Sequence, residues 1–171
     1  ASLYSVKLGK LVKEFDLEVL RGAAGYEDRS IETEDVNRPG LQLTGFFDYF
    51  DPSRLQVIGK VETTYLAGLT PEARRESFER LLSQDITALI ISRGIDPFPE
   101  CMEMAKKHDQ VILSTQENTS NIMSTMIAYL RTALSPTITR HGVLVEVYGE
   151  GVLLAGESGV GKSETAIELV K

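Results

Sequence analysis

Eight residues near the end of the sequence form a glycine-rich pattern: Gly156-Glu157-Ser158-Gly159-Val160-Gly161-Lys162-Ser163. They satisfy G-x-x-x-x-G-K-[ST] at every fixed position and directly follow the apolar run 151–155. After this motif, the apolar residues Ala166, Ile167 and Val170 have the spacing of one helix face. A strand before the loop and a helix after it are the context that a phosphate-binding loop requires. The sequence therefore predicts an α/β protein with a P-loop.

The spacing of this loop suits phosphate chemistry. Its glycines allow backbone N–H groups to form a concave nest, and the following helix points its unpaired amides and positive dipole end at the same phosphates. We expect Lys162 to reach the β- and γ-phosphates and the Ser163 hydroxyl to bind Mg²⁺. The alternative, a Gly/Ser-rich turn with an exposed lysine, is disfavoured because both flanks fit. The loop is thus predicted to bind nucleotide phosphates.

Composition and charge exclude several classes of protein. The 171 residues are 42% hydrophobic, and none of their apolar runs approaches the ~18 residues of a membrane span, so we expect no membrane association. The net charge of −7 opposes nonspecific nucleic-acid binding. The single cysteine, Cys101, allows no intrachain disulfide, which fits a cytoplasmic location. It is expected to pack in a helix rather than to act as a nucleophile.

Two segments precede the P-loop. Residues 55–134 alternate apolar strand patterns with helical ones, which predicts an open, mostly parallel α/β sheet as the first domain, 1–134. Residues 135–140 are polar with one proline and are predicted to be a linker. Residues 141–148 then alternate and turn at 149–151, which predicts a β-hairpin leading into the P-loop of a second domain, 141–171.

Specific elements are predicted in the first domain. Expected helices cover 5–15, 63–69, a segment starting at Thr70-Pro71, a segment around Cys101, and 120–134; expected strands cover 17–20, 31–36, 55–59, 86–91 and 110–115. The aromatic cluster of Phe46, Phe47, Tyr49 and Phe50 is expected to lie in the core or in a subunit contact. Since the sequence stops eight residues after Ser163, before any downstream catalytic acid, we expect it to be the front part of a longer protein.

Residues 141–166 closely resemble the start of the kinase domain in the HPr kinase/phosphorylase family. The resemblance extends to residues 37–41, 90–94 and 118–120, and so covers nearly the whole chain. It implies a bacterial, cytoplasmic protein kinase that uses ATP and Mg²⁺ to phosphorylate a serine of the phosphocarrier protein HPr. It also implies the reverse reaction by phosphorolysis, in which inorganic phosphate is consumed and pyrophosphate released, a role in carbon catabolite repression, and a homohexamer.

The resemblance also implies roles for particular residues. Residues 156–163 match the family's nucleotide-binding segment, Lys162 its active-site lysine, Ser163 its magnesium ligand and His141 its active-site histidine. The first hairpin strand is expected to bring His141 towards the γ-phosphate side of the nucleotide. Without the resemblance, a histidine at this place would be interpreted as a surface residue.

Two alternatives remain open from the sequence. The chain could belong to a P-loop kinase or ATPase that acts on another substrate. Independently of the substrate, the first domain could be a ligand-sensing or assembly module.

Overall fold

The computed structural model describes residues 4–135, which form an α/β domain around a five-stranded sheet. The strand order is β2-β7-β6-β5-β4; β4 to β7 are parallel, and β2 pairs antiparallel with β7 at one edge. The strands are β2 (Glu18–Arg21), β4 (Val36–Asn37), β5 (Leu55–Ile58), β6 (Leu89–Ile91) and β7 (Ile112–Ser114). Two shorter strands, β1 (Val6–Lys7) and β3 (Ser30–Ile31), form a separate antiparallel pair. The predicted α/β class with a mostly parallel sheet is confirmed.

Helices cover both faces of this sheet. The helices are α1 (Leu8–Glu14), α2 (Gly40–Leu43), α3 (Lys60–Ala67), α4 (Pro71–Leu82), α5 (Pro99–His108) and α6 (Thr119–Leu134). Helices α1 and α6 share one apolar cluster with Val57, Ile90 and Leu113 of the central strands. Helices α2 to α5 share a second cluster with Ile58 and Ile91. Successive residues of the central strands belong alternately to the first and the second cluster, because successive side chains of a strand point to opposite faces of the sheet.

Local sequence signals account for several helix boundaries. The Thr70 hydroxyl accepts a hydrogen bond from the Ala73 N–H at 3.1 Å, so the predicted N-cap of α4 is confirmed. Asn118 caps α6 in the same way, with 2.8 Å from the Asn121 N–H to the Asn118 side-chain oxygen. Helix α3 begins at Lys60, three residues before the predicted start, because the Glu62 carboxylate accepts the Gly59 N–H at 2.8 Å.

The junction of α3 with α4 depends on one arginine. Arg74 on α4 donates to the carbonyl oxygens of Leu66 and Leu69, both at 2.9 Å, at the end of α3. Its guanidinium also pairs with Glu100 of α5 at 3.3 Å and lies 4.8 Å from the ring centre of Phe98. The Arg74 and Glu100 side chains are only 14% and 10% exposed, so this arginine joins three helices in a largely dry environment.

Some predicted strands are shorter than expected. The predicted strand 31–36 is two separate strands, β3 and β4, since the Asp35 N–H bonds the Thr33 hydroxyl at 3.1 Å and turns the chain between them. Strand β6 starts at Leu89 rather than residue 86, because the Ile86 N–H forms a local turn to the Gln84 carbonyl at 2.9 Å. All three residues of β6 are buried, as predicted.

The aromatic cluster at residues 46–50 is largely outside the core. Tyr49 is 98% exposed and Phe46 is 47% exposed, so the prediction of a core position is wrong for both. Phe47 and Phe50 instead contact each other edge to face, with ring centres 5.4 Å apart, and Phe50 packs partly against the second core cluster. A subunit contact there stays a prediction.

The predicted linker, hairpin and P-loop lie outside the described residues. Helix α6 ends at Leu134, next to the predicted end of the first domain, but the domain boundaries at 134 and 141 stay predictions. Within residues 4–135, no helix combines the length and the apolar character needed to span a membrane.

Candidate functional site

Every predicted site residue lies beyond residue 135. The part of the chain that the structure describes therefore does not include His141 or the predicted loop, Gly156, Glu157, Ser158, Gly159, Val160, Gly161, Lys162 and Ser163. Their roles stay predictions. Open α/β sheets bind their ligands at the carboxyl edge of the parallel strands, and this edge is the candidate site of the described domain.

Three segments that carry the family resemblance meet at this edge. Asn37 ends β4, Ser92 follows β6, and Thr119 begins α6 after the short connection from β7. They come together because the carboxyl ends of parallel strands lie side by side. The sequence contained a signal for this cluster that the prediction did not use, since polar residues follow each of these strands in turn.

Between β5 and β6 the edge is closed by the chain's own hydroxyl groups. The oxygens of Ser92 and Thr119 lie 2.6 Å apart, and the Ser92 hydroxyl is also within 3.2 Å of the Ile58 carbonyl oxygen. Both side chains are buried, at 0% and 3% exposure. Gly59 faces this pair so closely that a Cβ there would collide with the Thr119 hydroxyl. No space is left for a ligand at this point of the edge.

Between β4 and β5 the edge is closed by an ion pair. The Arg38 guanidinium binds the Glu62 carboxylate with two contacts, Nε to Oε2 at 2.9 Å and Nη2 to Oε1 at 2.8 Å. Burial alone would raise the pKa of Glu62, but the hydrogen bonds from Arg38 and from the Gly59 N–H outweigh it and lower that pKa. Glu62 is thus an ionised carboxylate held by Arg38 and by the Gly59 N–H.

Amide side chains complete the edge. The Asn37 Nδ2 donates to the side-chain oxygens of Gln56 at 2.7 Å and Gln42 at 3.2 Å. Gln56 is fully buried within β5, and its own Nε2 donates to the Arg54 carbonyl at 3.1 Å. These groups satisfy one another, so the edge joins strands and helices rather than recognising a substrate.

Other candidate chemistry in the described domain is also structural. Burial raises the pKa of the Cys101 thiol to about 12 and leaves it inside α5, which confirms the prediction of a packed cysteine. From residue 4 to residue 135, no group of three or more His, Cys, Asp or Glu side chains could hold a metal ion.

Comparison with known proteins assigns the chain to a family. The model described as "HPr Serine kinase N terminus" matches residues 6–130, and the model described as "HPr Serine kinase C-terminal domain" matches residues 132–171. The chain belongs to the HPr serine kinase family. The second match contains all of the predicted site residues, whereas the first coincides with the α/β domain described above.

Relatives named "HPr kinase/phosphorylase" cover nearly the whole chain. The protein of that name from Caldicellulosiruptor bescii is 50% identical over 99% of this chain and 54% of its own length. Those from Clostridium botulinum strain Alaska E43 and Alkaliphilus metalliredigens are each 48% identical over 98% of this chain and 54% of theirs. The chain therefore spans about half the length of the relatives it matches.

Proposed function

We propose that the complete protein is an ATP-dependent kinase that phosphorylates a serine of HPr and also removes that phosphate by phosphorolysis. The observation that carries the proposal is the intact P-loop motif at 156–163, inside the segment matched by the C-terminal family model. The shared name of the relatives favours HPr as substrate over the alternative of a P-loop kinase with another substrate.

Phosphoryl transfer of this kind depends on position and charge. The backbone amides of residues 156–161 would hold the phosphates, while the Lys162 ammonium would offset negative charge on the β- and γ-oxygens. The Ser163 hydroxyl would hold Mg²⁺, which supplies further positive charge when bound. His141 would stand near the γ-phosphate, where its protonated form would add attraction.

Both reactions would use the same phosphate-binding loop. In the forward direction the serine hydroxyl of HPr loses its proton to solvent and its oxygen attacks the γ-phosphorus of ATP. The bond from the γ-phosphorus to the bridging oxygen of the β-phosphate breaks, and ADP leaves. In the reverse direction an oxygen of inorganic phosphate attacks the phosphorus of phosphoserine, the serine oxygen leaves with a proton, and pyrophosphate forms. A cytoplasmic homohexamer active in catabolite repression is part of the same proposal, supported by the family membership.

The described α/β domain has a supporting role in this proposal. Its carboxyl edge is filled by its own side chains, and this favours an assembly module over a ligand-binding module at that edge.

The test uses the complete protein with purified HPr. We expect ATP and Mg²⁺ to yield phosphoserine on HPr by mass spectrometry, and phosphate with phospho-HPr to yield pyrophosphate. Lys162→Ala should lower both rates at least about a hundredfold, whereas Lys60→Ala, an exposed lysine of α3, should leave both rates unchanged. Absence of phosphoserine would refute the kinase, absence of pyrophosphate would refute the phosphorylase, and full activity of Lys162→Ala would refute the assigned loop.

A further inference from the structure

A cavity of about 340 Å³ lies between α1 and the single 3-10 turn Tyr26–Asp28. Its lining consists of Gly9, Lys10, Val12, Lys13, Tyr26 and Glu27. The volume is at the small end of the range that protein pockets use for organic ligands. None of its lining residues is among the side chains that close the carboxyl edge.

Part of the wall of this cavity is packed against the core of the domain. Helix α1 approaches the turn closely at Gly9, where a Cβ would lie 2.9 Å from the Glu27 Cβ. Val12 and Tyr26 are half-buried and pack against the first core cluster. The turn is held by backbone hydrogen bonds from the Tyr26 N–H to Ala23 at 3.0 Å and from the Arg29 N–H to Tyr26 at 3.1 Å. The cavity thus has an apolar, partly aromatic wall of defined shape.

The charged groups that line the cavity favour an anion. Lys10 and Lys13 are three residues apart and therefore project from the same side of α1. Neither ammonium takes part in an ion pair among residues 4–135. Glu27 contributes one opposing carboxylate, so the lining carries a net charge of about +1 on a chain whose total is −7.

We propose that this cavity binds a small organic anion. A carboxylate or phosphate group would lie between the ammonium groups of Lys10 and Lys13, and an apolar ring would lie against Tyr26 and Val12. The side chains of α1 and the turn would supply both kinds of contact at once. This site is independent of the proposed kinase activity, because it uses no residue of the P-loop.

The probe for this proposal is phenyl phosphate, and the readout is the backbone amide spectrum of the 171-residue chain measured by NMR. The chain carries Lys162→Ala so that binding at the predicted P-loop does not contribute. We expect saturable shifts at the amides of Gly9, Lys13 and Tyr26. Inorganic phosphate, which lacks the ring, should bind at least about tenfold more weakly.

A pair of matched double variants makes the test specific. Lys10→Gln with Lys13→Gln should weaken phenyl phosphate binding at least about tenfold, since two charge-assisted contacts are lost. The control, Lys60→Gln with Lys106→Gln, removes the same charge from exposed positions of α3 and α5 and should leave the affinity unchanged. The proposal is overturned if no saturable shifts occur around the cavity, or if both double variants weaken binding equally.

Discussion

Substituting Gly59 by alanine tests how tightly the carboxyl edge is closed. The Gly59 backbone is extended, with φ −137° and ψ −153°, so alanine brings no backbone strain and its effect comes from contacts. Its Cβ would lie 3.0 Å from the Ser92 hydroxyl oxygen and 3.1 Å from the Thr119 Cβ, with the Thr119 hydroxyl closer still. The new methyl group must therefore displace the buried hydroxyl pair.

The expected loss of stability follows from two effects. Inserting a methyl group into a packed site costs about 1–3 kcal/mol, and separating a buried hydrogen-bonded pair costs about 1–3 kcal/mol if the hydroxyls find no new partner. The Ser92 hydroxyl keeps the Ile58 carbonyl as a possible partner, which reduces the second effect. We therefore expect Gly59→Ala to lower the free energy of unfolding by about 2–4 kcal/mol.

Urea unfolding followed by circular dichroism measures this loss as a fall in the transition midpoint at constant slope. Gly40→Ala is the matched control, because an added Cβ there meets no atom within 4 Å beyond its chain neighbours and the backbone of its own helix. Because Gly40 lies in helix α2, the control should be neutral or should raise the free energy of unfolding by up to about 1 kcal/mol.

Removing the obstacle should rescue the variant in part. In the double variant Gly59→Ala with Thr119→Ala, the new methyl group occupies space that the Thr119 side chain has vacated. We expect its loss of stability to be smaller than the sum of the two single losses by at least about 1 kcal/mol. The reasoning is refuted if Gly59→Ala is as mild as Gly40→Ala, or if the two single losses simply add.

Three further predictions concern buried polar groups. Because the folded-state pKa of Glu62 is lowered, its ion pair with Arg38 stabilises the fold above the usual carboxyl pKa of 4.5, and this contribution is lost as the pH falls through the folded pKa. Glu62→Gln should therefore be less stable than the wild type at neutral pH and equally stable in acid. A constant difference between their urea midpoints across pH would contradict this. Arg74→Met leaves the Glu100 carboxylate buried without its partner and should lower the free energy of unfolding in urea by about 3–5 kcal/mol. The control Arg75→Met breaks an exposed ion pair with Glu103 and should change that free energy little. Similar losses for the two variants would show that Arg74 does not join the helices. The Cys101 thiol, with its pKa raised to about 12, should react with an aromatic disulfide reagent at mildly alkaline pH only after unfolding in urea, and rapid labelling of the folded chain would refute its burial.

Much of the fold follows from local signals in the sequence. Thr70 followed by proline predicts the start of α4 because the cap and the fixed proline φ act over one turn of helix. The buried strands β6 and β7 are predicted because the runs 86–91 and 110–115 are nearly continuous in apolar residues. Such features depend on neighbours close in sequence or on burial alone.

Long-range features were not predictable in the same way. The Arg38 side chain meets Glu62, and Ser92 meets Thr119, across 24 and 27 residues, and no local pattern specifies either partner. The exposure of Tyr49 was not predicted because aromatic composition favours burial, and the sequence does not show that only Phe50 of this segment packs against the second core cluster. The P-loop motif predicts a chemical site outright, but its residues lie outside the part of the chain that the structure describes.

The antiparallel edge of the sheet has a consequence for how the domain forms during synthesis. Strand β2 is made early, but its partner β7 begins at Ile112, so Val19 pairs with Leu113 across more than ninety residues of chain. Contacts of such long sequence separation slow folding, and β2 must wait for nearly the whole domain to leave the ribosome. We therefore expect nascent chains that stop before β7 to bind chaperones and to be cut by proteases, and longer ones to become resistant in a single step.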